Sequence, residues 1–315
     1  MHDGSTSQSV ILSKPKKQNI SGILLLDKPQ GISSNKAVQI AKHLFAATRC
    51  GHTGTLDPLA SGLLPLCLGE ATKFSSVMLG ANKSYEAILK LGYISTTGDS
   101  EGEITQLDTG KIQPDLQYCE HILKKFLGTI TQTPPMHSAL KHQGKPLYVY
   151  ARQGKTIDRP ARNVMIYDLE ILSFQIDTLQ LRIRCSTGTY IRTLAEDIGK
   201  ALGMGGAYLT QLRRTKVDRY DLSQAHTLTN LKMLPTHDLT NLLLPVDHLL
   251  NQFPSVHLDE HSALRITQGQ SIHCSSTTPL PAESFIRLYR HPQQFIGLGK
   301  ITDQQTIVAK RLLAQ

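Results

Sequence analysis

An aspartate beside a proline in a glycine-rich stretch is the residue of this chain best placed to do chemistry. The stretch reads Gly51-His52-Thr53-Gly54-Thr55-Leu56-Asp57-Pro58-Leu59-Ala60-Ser61-Gly62. Its three glycines allow backbone angles that other residues avoid. Pro58 fixes its own φ and biases Asp57 towards an extended conformation. Asp57 is therefore expected at a sharply defined corner, its carboxylate on a rigid loop. That carboxylate is ionised at neutral pH, since an unperturbed aspartate titrates near ~3.9. His52, five residues earlier, can fold back towards it. An Asp-Pro pair flanked by glycine is also a common turn, so composition alone does not separate a reactive carboxylate from a loop.

A second group is basic. Between Lys141 and Arg162 stand six cations (Lys141, Lys145, Arg152, Lys155, Arg159, Arg162) and one acid, Asp158, with Tyr148 and Tyr150 interleaved. Cations neutralise phosphate and release counterions, and aromatic faces stack on bases. The bland alternative is a solvated charged face. The net charge of +9 and the pI of about 9.3 suit a polyanionic partner, although charge speaks to binding and not to fold.

Other chemistries find no footing. Cys50, Cys67, Cys119, Cys185 and Cys274 are scattered without a Cys-x-x-Cys pair, which argues against zinc and reads as reduced cytosolic thiols. Gly203, Gly205 and Gly206 lack the following Lys-Ser/Thr of a phosphate loop. The acidic stretch from Thr96 to Gly102 lacks the spacing of an EF-hand and reads as a solvated turn. Val10-Ile11-Leu12 is too short for the core of a signal peptide, and no stretch approaches the ~20 apolar residues that cross a bilayer.

The elements that must position these residues follow from periodicity. Residues 1–20, Ser-rich and then basic, read as a disordered tail. Gly22 to Leu26 is a strand, residues 27–31 a turn, and Ser34 the cap of a helix to about Phe45. Lys83 to Leu91 is a strand, and residues 115–127 form a helix with Leu116, Cys119, Ile122, Leu123 and Phe126 as its apolar stripe. Leu179, Leu181, Ile183 and Cys185 alternate with Gln180, Arg182 and Arg184, the pattern of a half-buried strand. A helix from about Tyr190 to Leu202 follows, with Tyr190 and Arg192 in its first turn; Glu196 is the surface partner that spacing alone offers Arg192. Residues 212–217 are a basic strand or turn. From about Ser255 the pattern shortens to strands at 271–274, 285–289 and 295–299. Strands and helices interspersed without regular β-α-β alternation give the α+β class.

The run from His52 to Gly62 resembles the catalytic-aspartate motif of the bacterial TruB-type tRNA pseudouridine-55 synthases. Lys28-Pro29-x-Gly31-x-Ser33-Ser34 resembles the opening motif of that family, and Pro134 to Leu140 resembles the start of its RNA-gripping insertion. The resemblance covers roughly residues 20–245, and more loosely 255–315. It implies a mixed, largely antiparallel sheet flanked by helices: a catalytic domain over 21–250, with the insertion at about 132–162. A small PUA-like β-domain over 251–315 would follow, although Thr302-Asp303-Gln304-Gln305-Thr306 departs from the usual glycine turn there. It implies isomerisation of uridine 55 in the T loop of tRNA, with the base flipped out and no cofactor or metal. Asp57 would be the nucleophile, Arg192 the cation that keeps it ionised, and Tyr85 the ring against the base and a candidate proton acceptor. Tyr190 would lie near the aspartate, His52 would hold the base out of its loop, and Lys73 and Leu212 would line the substrate site. Lys141, Lys145, Arg152, Lys155, Arg159 and Arg162 would grip the T-arm. A cytoplasmic monomer without an obligate protein partner or membrane contact is expected.

Two rival readings remain. A guide-dependent, dyskerin-like synthase shares the aspartate motif, but the insertion favours an enzyme that grips tRNA by itself. A non-catalytic RNA chaperone would use the same basic surface, yet has no use for a rigidly held carboxylate.

Overall fold

Why the chain folds around its first strands is visible in their composition. Gly22–Lys28 (GILLLDK) and Ser61–Leu68 (SGLLPLCL) are apolar at nearly every position, as strands buried on both faces must be. They pair in antiparallel register, with Leu24 opposite Leu66. The computed structural model describes residues 17–108, 114–273, 280–290 and 293–314. Residues 1–16 of the expected tail and Cys274 lie outside the described residues, whereas Gln18 donates its N–H to the Ala46 carbonyl at 2.9 Å.

The main sheet has ten strands. Its order is His226–Thr227, Gly22–Lys28, Ser61–Leu68, Ala207–Val217, Lys83–Leu91, Thr178–Cys185, Arg162–Gln175 and Gly128–Gln132. Cys50–His52 and Tyr220–Asp221 pair off this path. All pairings are antiparallel except two, Gly22–Lys28 with His226–Thr227 and Ser61–Leu68 with Ala207–Val217. One face is covered by the helices Ser34–Leu44, Leu116–Leu123 and Ile191–Ala201, which insert Val38, Ala41, Ile122, Leu194 and Ile198 against Leu24, Leu66, Tyr85 and Leu181. Each fully buried Leu or Ile there contributes roughly 1.5–3 kcal/mol.

Behind the first strands Ile23, Leu25, Leu63 and Cys67 pack on the 3-10 segment Gly69–Met78 and on Leu249 and Leu250. The second domain reaches the same cluster with Phe295 and Leu298. That domain is a five-stranded curled sheet, ordered Ser255–Leu258, Phe285–Arg290, Gln294–Ile301, Thr306–Leu312 and Ile272–His273. Its helix Glu260–Thr267 is capped by Asp259, which accepts the Ser262 N–H at 2.7 Å. The first and fourth of these strands, and the helix, have no counterpart among the elements expected from periodicity. The α+β class and the mixed, largely antiparallel sheet with a small β-domain hold.

Two local expectations are corrected. Ser33, not Ser34, caps the first helix, accepting the Lys36 N–H at 3.1 Å; Ser34 is buried and faces the Asp57 loop. The acidic turn is not solvated at its centre: Asp99 is 2% exposed, because the hairpin Tyr93–Ser95/Ile104–Gln106 folds it against the helix that carries Arg192.

Candidate active site

Asp57 lies between the strands Cys50–His52 and Ser61–Leu68, and three segments pin its loop. Ser34 Oγ accepts the Leu56 N–H and donates to the Leu56 carbonyl, both at 2.8 Å. The Gly31 N–H donates to the Pro58 carbonyl at 2.8 Å. The Lys28–Ser34 motif is thus a clamp on the aspartate loop as well as a turn. The third segment is Arg214, fully buried, whose guanidinium donates to the carbonyls of Leu63 (2.7 Å), Gly54 (3.2 Å) and Thr55 (3.3 Å). Of the three glycines of the stretch only Gly62 has positive φ, +102°, and a Cβ there would collide with the Arg214 backbone.

Arg192 meets the carboxylate. It is the second residue of the helix Ile191–Ala201, and its Nη2 lies 3.0 Å from Asp57 Oδ2. Nη1 donates to the Thr97 carbonyl at 2.9 Å, Nη2 also to the His137 carbonyl at 2.7 Å, and Nε lies 3.7 Å from Asp99 Oδ2. The surface pairing with Glu196 does not form; Glu196 bonds Lys200 instead. Gly98 (φ +78°) lets the acidic turn approach, since a Cβ there would lie 3.2 Å from Arg192 Cβ.

The charges around Asp57 pull in opposite directions. Burial raises its pKa above the ordinary carboxylate value, and Arg192 opposes this most strongly; Asp99 adds to the rise and Lys28 opposes it. Lys28 is itself fully buried, its ammonium donating to the Pro29 (2.9 Å) and Ile32 (2.8 Å) carbonyls. Desolvation lowers its pKa to about 8, against the pull of Asp57 and Glu101.

Tyr85 is buried on the central strand and hydrogen-bonded to Arg214. Burial pushes its pKa up to about 12, so the phenol keeps its proton at neutral pH. That suits stacking and donation better than the expected acceptor role. His52 is half-buried, and its Nδ1 accepts the Gly54 N–H at 3.3 Å. Burial and then Arg214 lower its pKa, in keeping with a neutral ring. Leu212 is buried and lines a small recess with Leu59, Ser61, Ile88 and Arg213. Tyr190 is the N-cap of the Arg192 helix.

Lys73 is not brought to this site. Its ammonium bonds Glu70 at 2.5 Å and the Leu312 carbonyl at 2.9 Å, because the 3-10 segment faces the C-terminal domain. The insertion is a hairpin, Lys141–His142 with Lys145–Pro146, followed by the helix Leu147–Ala151. Lys141, Lys145, Arg152 and Lys155 are exposed on it. Arg159 and Arg162 are half-buried and each bonds a backbone carbonyl, Arg159 that of Pro134 at 3.1 Å and Arg162 that of Gly188. Among the described residues no cluster of His, Cys, Asp or Glu could hold a metal, and no helix is long and apolar enough to cross a membrane.

Sequence reasoning missed Arg214, Asp99, Lys28, Ser34 and Gln132 as parts of the site. For Arg214 a signal existed: strand alternation puts it on the face of Leu212, inward, where an arginine needs partners.

Residues 42–191 match the TruB family pseudouridylate synthase N-terminal domain, 192–251 the tRNA pseudouridylate synthase B C-terminal domain, and 254–313 the pseudouridine synthase II TruB C-terminal domain. A "tRNA pseudouridine synthase B" of Nitrosospira multiformis is 50% identical over 308 residues, covering 96% of this chain and 98% of its own. That of Nitrosomonas europaea is 51% identical over 292 residues, covering 92% and 95%. In fold, a chain from the "Structure of H/ACA RNP bound to a substrate RNA containing 2'-deoxyuridine" aligns with a TM-score of 0.70 at 20% identity, covering 96% of this chain and 93% of that one. With half of all aligned positions shared along nearly the whole length, the chain belongs to the TruB family of pseudouridylate synthases and is a pseudouridine-forming isomerase.

Proposed function

We propose that this protein converts uridine 55 in the T loop of tRNA to pseudouridine, with the base turned out of the stack and Asp57 as nucleophile. One observation carries the reading: a carboxylate on a pinned loop, over a third exposed, held 3.0 Å from a buried arginine. The reaction exchanges the N1–C1′ bond of uridine for a C5–C1′ bond. C5 loses a proton and N1 ends protonated, so no electrons are gained or lost and no redox partner, metal or ATP is required. What it does require is a fixed anionic nucleophile and a pocket for an extruded base.

Each residue has a place in that scheme. Arg192 and Lys28 favour the ionised Asp57 against the cost of its burial. Tyr85 offers a ring beside Asp57, its hydroxyl fixed by Arg214. Leu212 offers an apolar wall, and His52 a neutral ring at the entry of the loop. Lys141, Lys145, Arg152 and Lys155 supply the phosphate contacts to the T-arm. The full-length relatives named for tRNA support this substrate over a guide-dependent one. The protein is proposed to act as a cytoplasmic monomer.

The test is incubation of the purified protein with unmodified tRNA transcript, followed by mapping of pseudouridine. Conversion at position 55 alone is expected. Asp57→Asn should abolish it while tRNA affinity stays within about 3-fold, because asparagine keeps size and loop but is not an anionic nucleophile. Turnover by Asp57→Asn near the wild-type rate would refute the assignment.

A further inference from the structure

The root of the basic insertion grips the residues next to Asp57. Gln132 ends the strand Gly128–Gln132 and Arg162 begins the strand Arg162–Gln175, and the two are direct partners across the ladder. Gln132 is 1% exposed. Its side-chain oxygen accepts the Tyr190 N–H at 3.1 Å, and its amide donates to the Tyr190 carbonyl at 3.3 Å. The guanidinium of Arg162 lies over the Tyr190 ring, 5.0 Å from the centroid, and donates to the Gly188 carbonyl. Backbone, ring and preceding turn of one residue are thereby held by two facing side chains. Tyr190 is the N-cap of the Arg192 helix and makes no side-chain capping bond, so the start of that helix is fixed from outside. Residues 133–161, between the two holders, form the insertion, and its own His137 carbonyl receives Arg192 Nη2 at 2.7 Å.

We propose that Gln132 and Arg162 are positioning residues for the isomerisation, fixing the Tyr190 turn and, through its helix, the fork of Arg192 on Asp57. The proposal rests on Asp57 being the nucleophile. It makes the seat of the insertion and the catalytic charge pair one mechanical unit. It also separates Arg162, whose guanidinium is engaged inside the protein, from the exposed cations further out on the insertion. The groups that shift Asp57 are Arg192 from the helix, Asp99 from the acidic turn and Lys28 from the first strand, while Glu101 from that turn and Tyr85 from the central strand feel its charge in turn. Gln132→Met and Arg162→Lys neither add nor remove a charge, so a displaced Arg192 is what a shifted titration of Asp57 would report in them.

The experiment uses the full chain with unmodified tRNA transcript. Gln132→Met is nearly isosteric and removes both bonds; Arg162→Lys keeps charge without the planar face. Three quantities are measured: Kd by filter binding, the single-turnover rate at saturating enzyme, and the pH dependence of kcat/KM. Gln132→Met is expected to lose on the order of 10–100-fold in single-turnover rate, the scale of a misplacement of about 1 Å, with Kd within about 3-fold. Its acid limb should move to higher pH, because an Arg192 held less closely opposes the burial of Asp57 less. Arg162→Lys should behave as Gln132→Met. If Gln132→Met does not fold, Arg162→Lys carries the same test from a half-buried position. Wild-type rates in these variants, a loss confined to Kd, or a slower rate with an unmoved acid limb would each overturn the proposal. No pseudouridine from the wild type would refute the function itself, and the clamp with it.

Discussion

Arg192 has four partners and one fork, and that arithmetic decides how it will tolerate change. The guanidinium reaches Thr97, His137, Asp57 and Asp99 at once, a geometry that a lysine cannot reproduce. Arg192→Lys keeps the charge and should retain part of the activity. Arg192→Ala should lose on the order of 10²-fold or more, as removal of a preorganised charge from a reacting centre does. The sign of the accompanying pH effect follows from the site. Burial already raises the Asp57 pKa and Arg192 opposes it, so removing Arg192 raises it further. As the proposed nucleophile Asp57 must be ionised, and the acid limb of kcat/KM for Arg192→Ala should therefore move to higher pH. An unmoved limb would leave Arg192 a residue of structure alone.

The insertion is an element whose cations differ in what holds them. Lys141, Lys145, Arg152 and Lys155 are exposed, with Arg152 lying over the Tyr148 ring at 5.4 Å, whereas Tyr150 closes the element on itself by bonding the His142 carbonyl at 3.2 Å. Replacing those four cations by alanine should weaken tRNA binding and flatten its salt dependence by roughly 0.7–0.9 for each phosphate that is no longer neutralised. The saturating single-turnover rate should fall far less; an unaltered slope in a filter-binding titration would remove the element from the RNA interface. Elements with a clean period were legible from sequence. The alternation of Leu179, Leu181, Ile183 and Cys185 and the helix that carries Arg192 both emerge as read. What was not legible depends on partners distant in the chain. Nothing local tells that Ser34 will bond Leu56 rather than cap its helix, that Asp99 will be covered, or that Gln132 will meet Tyr190, 58 residues on. The site was legible at Asp57, Arg192 and Tyr85 through motif resemblance, and illegible where the role is set by burial, as for Lys28 and Arg214.

At the scale of the molecule, the two domains meet in an apolar seam with a polar latch. Phe74 packs on Phe295 with centroids 5.9 Å apart, and Tyr289 donates to Asp247 at 2.6 Å. Glu70 accepts both Lys73 (2.5 Å) and the Ala314 N–H (2.6 Å), while Arg311 donates to the Lys73 carbonyl at 3.2 Å. Lys73→Met should loosen this end of the last strand, read as faster amide hydrogen exchange over 306–312, with the saturating turnover rate little changed. A collapsed rate with unchanged exchange would return Lys73 to the substrate site. The latch should also be sensitive to acid. The bond from Lys73 holds the Glu70 carboxyl below its ordinary 4.5. Its contribution is thus complete above pH 4.5 and is lost as the pH falls through the lower folded value, so exchange over 306–312 should rise in that acid range in the wild type and not in Glu70→Gln.

The three carbonyls that Arg214 gathers carry a consequence for how the protein is made. A ribosome delivers the Asp57 loop long before the arginine that braces it, which stands 159 residues beyond Thr55. Translation thus separates the appearance of Asp57 from the appearance of its support. A nascent chain with Asp57 already exposed is expected to remain inert towards RNA until the strand Ala207–Val217 has emerged and closed against Ser61 and Gly62. Chains arrested before Ala207 should show the 53–60 loop open to protease, and chains arrested well past Val217 should show it closed; early closure would mean that the loop is braced without Arg214. The order of synthesis would then act as a safeguard, keeping a half-built enzyme from engaging the transfer RNAs crowded around the ribosome that makes it.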